Sequence, residues 1–177
     1  MNVLLRILLL YTLLASHAPL VSAASPKVGT PAPNFSVQTL DGRTLNLTSL
    51  RGKVILLHFW ATWCPPCREE LPLLEQFYTQ HRQDGLEIIA VSMEDPVDLD
   101  KVRTFARGYT FPVALVGAAD VAGYGRIWRL PLSHVIDRDG VLRKTDWSGD
   151  EPINAHSLET YVLPWLKPAL QAEIQPH

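Results

Sequence analysis

The run Val54-Ile55-Leu56-Leu57-His58-Phe59-Trp60 passes almost directly into Cys64-Pro65-Pro66-Cys67, and from there into a segment with apolar residues at helical spacing. A nearly unbroken apolar stretch of strand length suits a central strand covered on both faces. Leu71, Leu74 and Tyr78 on one face, with Leu73 and Phe77 beside it, predict a helix from Cys64 to about Arg82. Leu86-Glu87-Ile88-Ile89-Ala90-Val91-Ser92, introduced by Asp84-Gly85, predicts a second buried strand. Strand, helix and strand in that order make a parallel pair joined by a right-handed crossover. The fold class is therefore α/β.

The remaining segments add to this unit. Asn34 to Leu40 alternates apolar and polar residues, Asp41-Gly42 turns the chain, and Thr44 to Leu47 resumes the alternation, which predicts an N-terminal β-hairpin. A helix is expected from about Val97 to Gly108, a strand over Pro112–Val116, and a closing antiparallel hairpin from Ser133–Asp137 and Val141–Trp147. Leu158 to Leu166 predicts a final amphipathic helix. The sum is a mixed sheet with helices on both faces and an added N-terminal hairpin. A chain of 177 residues has material for one well-filled core, so a single domain is expected.

The N-terminus breaks from this pattern. Arg6 is the only formal side-chain charge before Lys27, and Ile7 to Ala15 is apolar but short of the ~20 residues of a membrane span. Val21-Ser22-Ala23-Ala24 supplies small residues for cleavage. Residues 1–24 therefore read as a secretory signal peptide and 25–177 as an exported domain, with an uncleaved anchor as the alternative. No cysteine near the cleavage site offers a lipid attachment point. The net charge of -2, without a basic cluster to neutralise phosphates, gives no hint of a nucleic-acid partner, and none is expected.

Outside the cytosol a cysteine pair tends to be oxidised. A disulfide across two residues, however, closes too short a loop to constrain the unfolded chain, so Cys64 and Cys67 make a poor staple. Zinc would need two further ligands, and the chain has no other cysteine. Redox chemistry is the remaining reading, and two sulfurs perform it without a cofactor. Cys64 falls at a helix start, where unpaired N–H groups and the helix dipole favour its thiolate, the nucleophile of disulfide exchange. Cys67, one turn in, resolves. Pro65 and Pro66 are tolerated in a first turn because the N–H groups they lack would be unpaired there. They also remove two donors from the Cys64 sulfur, leaving the Cys67 amide. Known dithiols span about -270 mV (thioredoxin) to about -120 mV (DsbA), and a modestly stabilised thiolate places this pair in the reducing half.

Phe59-Trp60-Ala61-Thr62-Trp63-Cys64-Pro65-Pro66-Cys67 resembles the active-site segment of the thioredoxin superfamily. With its flanks, from Val28 to Leu74, it is similar to exported TlpA/ResA-type thiol-disulfide oxidoreductases, relatives of CcmG of cytochrome c maturation. The resemblance implies a thioredoxin fold and disulfide-containing protein substrates, in a periplasmic or otherwise exported location. It also implies a membrane thiol-transfer electron donor of the CcdA or DsbD kind. Trp63 matches the tryptophan before the first cysteine, Pro131 the cis-proline facing the pair, and Glu70 an acidic position that could manage the Cys67 proton. His58 stands where thioredoxins keep a buried aspartate. It reads either as a core histidine with one hydrogen bond or as a proton acceptor for Cys67. His134 stands where relatives often have an aromatic residue and reads as a packing substitute. Pro72 should kink the helix. A copper chaperone using Cys64, Cys67 and a histidine is the alternative function. A peroxidase lacks its Thr-x-x-Cys, since Ala61 stands three residues before Cys64.

Overall fold

The computed structural model describes residues 26–149 and 151–166; the expected signal segment, residues 1–24, lies outside them. Seven strands form one sheet in the order β2-β1-β5-β4-β3-β6-β7. The centre is β3 (Val54–Trp60) beside β4 (Leu86–Ser92), paired in parallel from Val54↔Leu86 to Trp60↔Ser92. Every residue of both strands is buried. Each fully buried Leu or Ile there contributes about 1.5–3 kcal/mol over its exposed state, which is why an unbroken apolar run settles at the sheet centre.

The crossover from β3 to β4 is α1 (Pro65–His81), which continues through Pro72. A single 3-10 turn and α2 (Leu99–Ala106) lead from β4 to β5 (Val113–Asp120), parallel to β4. The strand β5 runs past the expected Val116 because β1 (Ser36–Thr39) pairs with its second half, Val37 opposite Ala119 and Ser36 opposite Asp120. At the other edge of that unit, β1 turns into β2 (Thr44–Asn46) through Gly42, whose φ of 88° glycine takes without steric cost.

On the opposite flank β6 (Leu132–Ile136) runs antiparallel to β3, with His58 opposite Ser133 and Leu57 opposite His134. Its partner β7 (Leu142–Ser148) closes the sheet. The predicted last helix is two pieces, α3 (Ala155–Tyr161) and α4 (Leu163–Leu166). It starts earlier than Leu158 because Asn154 and Ser157 form a reciprocal capping box, and Pro164 interrupts the pattern at its far end.

Side-chain alternation along β3 separates two cores. Val54, Leu56 and Trp60 join Leu71 and Leu74 of α1, Val102 of α2 and Leu158 of α3 on one face. Ile55, Leu57 and Phe59 join Phe35, Leu47, Leu50 and Tyr124 on the other. The expected helical cover of both faces is thus unequal among the described residues. The α-helices pack on one face, and the N-terminal segment with one 3-10 turn (Ala122–Tyr124) covers the other.

Candidate active site

The C-terminal ends of β3 and β4 and the N-terminal end of β6 meet at one edge of the sheet. Cys64 sits there as the N-cap of α1, and its sulfur accepts a hydrogen bond from the Cys67 amide at 3.3 Å. Pro65 and Pro66 occupy the first two helical positions, so Cys67 carries the first amide the helix can aim at that sulfur. The two cysteines are joined as a disulfide, with Cys64 3% exposed and Cys67 fully buried.

Trp63 projects beside them, 62% exposed. The peptide bond between Leu130 and Pro131 is cis, Pro131 is buried, and Leu130 packs against both cores. Glu70 is 5% exposed; one carboxylate oxygen accepts the Ile153 amide at 3.0 Å, and the other is buried without a partner. Burial pushes its carboxyl up to about 7, opposed by the Ile153 amide and reinforced by the neighbouring Glu69 charge. It stands one helical turn after Cys67, on that residue's side of α1.

His58 lies on the α1 face of β3, since it alternates in register with Leu56 and Trp60. Its Nδ1 is 2.8 Å from Ser133 Oγ, while Nε2 is buried and unpartnered. Burial lowers its pKa to about 3, so the ring is neutral at physiological pH and a weak acceptor for a thiol proton. His134 faces the opposite core: its ring centroid lies 5.0 Å from that of Tyr124 and 6.0 Å from that of Phe59, and Nδ1 is 2.9 Å from Thr145 Oγ1. The sheet therefore places His134 away from the dithiol.

Two features escaped the sequence reading. Glu94, just after β4, bonds Thr62 two residues before Cys64. Trp128, 72% exposed beneath the Arg129 guanidinium, stands three residues before Pro131. Three of the exposed large apolar residues, Trp63, Val97 and Trp128, rise from the three segments that border this one edge of the sheet. The copper alternative needs a third ligand beside the cysteines. Among the described residues no three His, Cys, Asp or Glu side chains are gathered to hold a metal ion.

A family model described as AhpC/TSA matches residues 28–145, the hairpin, the whole crossover unit and the cis-proline included. The chain belongs to the AhpC/TSA family. Among curated relatives of this AhpC/TSA member, the thiol-disulfide oxidoreductase ResA of Bacillus thuringiensis (strain Al Hakam) is 39% identical over 116 residues, 64% of this chain. The alignment spans 66% of that relative's own length, just under two thirds. The thioredoxin-like protein YneN of Bacillus subtilis is 37% identical over 118 residues, 65% of this chain and 68% of YneN.

Among solved structures, a thiol:disulfide interchange protein of the thioredoxin family from Chlorobium tepidum superposes with TM-score 0.65 at 30% identity, covering 81% of this chain and all of that one. StoA of Bacillus subtilis gives TM-score 0.56 at 28% identity, covering 73% and 96% of the two chains. The family member has the thioredoxin-like fold, with an added N-terminal hairpin. Among the described residues no helix is long and apolar enough to cross a membrane.

Proposed function

We propose that the protein is a thiol-disulfide oxidoreductase that reduces or exchanges disulfides in other proteins through Cys64 and Cys67. The observation that carries this reading is the Cys67 amide directed at the Cys64 sulfur across a first turn holding two prolines. The same donor that stabilises a Cys64 thiolate holds the second cysteine one helical turn away.

In the reducing direction the Cys64 thiolate attacks one sulfur of a substrate disulfide. A Cys64–substrate disulfide forms and the other substrate sulfur leaves as a thiolate. Cys67 then loses its proton and attacks Cys64, releasing the second substrate thiol and leaving the Cys64–Cys67 disulfide. Two electrons have passed to the substrate, and two must return from a donor before the next cycle.

Glu70 is the group we assign to the Cys67 proton. Its carboxyl, held near 7, takes and returns protons at neutral pH, whereas His58 stays neutral and bonded to Ser133. The exposed Trp63 next to Cys64, with the exposed Val97 and Trp128 on the segments after β4 and before β6, favours a protein as the substrate, because exposed apolar side chains at one end of the sheet match a polypeptide better than a small solute. The composition of residues 1–24 supports export and an oxidising envelope as the setting, with a membrane thiol-transfer protein of the CcdA or DsbD kind as donor. Cytochrome c maturation is the specific pathway the resemblance to CcmG favours.

The test is trapping. With Cys67→Ser the Cys64–substrate disulfide should persist and be recovered from cell envelopes with its captured protein. Failure of the wild-type protein to cleave insulin disulfides in the presence of a dithiol reductant would overturn the reading.

A further inference from the structure

Resting on the dithiol reading above, we propose that Glu94 is a positioning residue for Cys64: its buried carboxylate fixes the turn that presents the sulfur and keeps a negative charge beside it. Glu94 is 3% exposed. One of its oxygens accepts the Thr62 amide at 2.6 Å and the Thr62 hydroxyl as well, and the other accepts the Ser92 hydroxyl. Three donors and no acceptor face the two oxygens, which is the complement of a carboxylate.

These bonds join the end of β4 to the turn after β3. The Met93 amide donates to the Trp60 carbonyl at 2.8 Å, and the Cys64 amide donates to the Ala61 carbonyl at 3.1 Å. Thr62 lies between those two contacts. A hydrogen-bonded link therefore runs from β4 through Glu94 and Thr62 to Cys64, the N-cap of α1, and a shift of the carboxylate moves the sulfur relative to the Cys67 amide.

The charge matters as much as the bonds. A thiolate exists only in the reduced protein, so a neighbouring negative charge weakens the reduced form and makes the dithiol the stronger reductant. Other charged or titratable groups border the same edge. On α1 these are the exposed Arg68 and Glu69 and the buried Glu70, and on β3 the buried His58. The segment after Glu94 adds Asp95 and Asp98, and the segment before Pro131 adds Arg126 and Arg129. Glu70 and Glu94 are the buried acids of this set. Glu70 bonds Ile153, whereas Glu94 bonds the Cys64 turn itself.

The experiment uses the full chain and reads the pH dependence of Cys64 alkylation and the equilibrium with reduced and oxidised glutathione. Glu94→Gln keeps the shape and removes the charge. The Cys64 alkylation profile should move to lower pH, and the equilibrium should shift about tenfold toward the dithiol, about 30 mV less reducing. Glu94→Asp keeps the charge but shortens the link, so turnover of insulin disulfides should fall about tenfold while the glutathione equilibrium moves less than it does in Glu94→Gln. A Glu94→Gln protein whose alkylation profile and equilibrium both match wild type overturns the proposal. Should that variant not fold, Thr62→Val carries the test: it strips one donor from the carboxylate, leaves more charge acting on Cys64, and should move the profile to higher pH. An unmoved profile there also overturns the proposal. Alkylation and glutathione exchange need no protein substrate, so they decide the role of Glu94 even where insulin is not cleaved.

Discussion

Glu70 of the active helix accepts the Ile153 amide at 3.0 Å, across 83 residues of sequence, and buries its second oxygen unpaired. The contact ties the second turn of α1 to the segment that leads into α3. It also leaves a carboxylate in surroundings that favour its neutral form.

That arrangement fixes a pH dependence of stability. The folded carboxyl is raised to about 7 from an ordinary 4.5, so the native state binds the proton more tightly than the unfolded chain. The benefit is complete below the unfolded value and is lost as pH rises through the folded one. Urea unfolding from pH 4.5 to 7 should show wild type losing about 3 kcal/mol relative to Glu70→Gln. Parallel curves for the two proteins would mean that Glu70 is not the source. The Gln variant should also lose the inflection near pH 7 in single-turnover exchange.

The two buried histidines act in the opposite sense. Burial lowers His58 to about 3 and His134 to about 4, both from 6.5. Each contributes stability that is full above 6.5 and is lost as the pH falls through its folded value, because the unfolded chain takes the proton first. Between pH 6.5 and 5 each histidine should cost about 2 kcal/mol. His58→Asn should flatten the acid limb of the unfolding curve and leave the pH–rate profile of exchange unchanged above pH 5. A change in that profile would return His58 to the proton path.

On the proposed dithiol chemistry, the missing amides of Pro65 and Pro66 should bear on the redox poise. Pro66 holds the second helical position, from which an N–H can reach an N-cap acceptor. Wild type should equilibrate with glutathione closer to about -270 mV than to about -120 mV. Pro66→Ala adds a donor to the Cys64 thiolate and should make the potential about 30 mV less reducing, a tenfold change in the equilibrium. An unchanged potential would show that the added amide does not reach the sulfur.

The exposed apolar side chains should appear in substrate affinity. Trp128 is 72% exposed and outside the dithiol itself. Trp128→Ala should raise KM for reduced-protein-forming turnover of insulin about fivefold, near 1 kcal/mol, with a smaller effect on kcat. An effect confined to kcat would mean the ring does not contact substrate.

The central unit was legible because its signal is dense. Val54–Trp60 and Leu86–Ser92 have the bounds expected from their apolar runs, and Pro65 and Pro66 mark the start of α1. Legibility fails where partners decide. Gly117 to Asp120 has no apolar alternation and becomes strand because β1 lies alongside. Likewise Glu94 looks like a loop acid until the parallel register sets Ser92 opposite Trp60 and brings the carboxylate to Thr62. The pairing of His58 with Ser133 depends on the same kind of long-range register. The resemblance supplied Pro131 and Glu70, which composition and spacing alone would have left as a turn proline and a surface acid.

The lead-in strip is fastened at the far pole of the sheet. The Gly29 amide bonds the Leu142 carbonyl, the Ala32 amide bonds the Gly140 carbonyl, and Pro31 bridges Val141, all beside the turn that joins β6 to β7. The sulfurs sit at the other pole, where β6 begins. Any tether running upstream of Pro26 thus leaves from the back of the molecule. A protein leashed there to a bilayer would hold its chemistry outward, free to meet clients in the surrounding fluid, and would have to tumble on its leash to be recharged by a donor lying in the same bilayer.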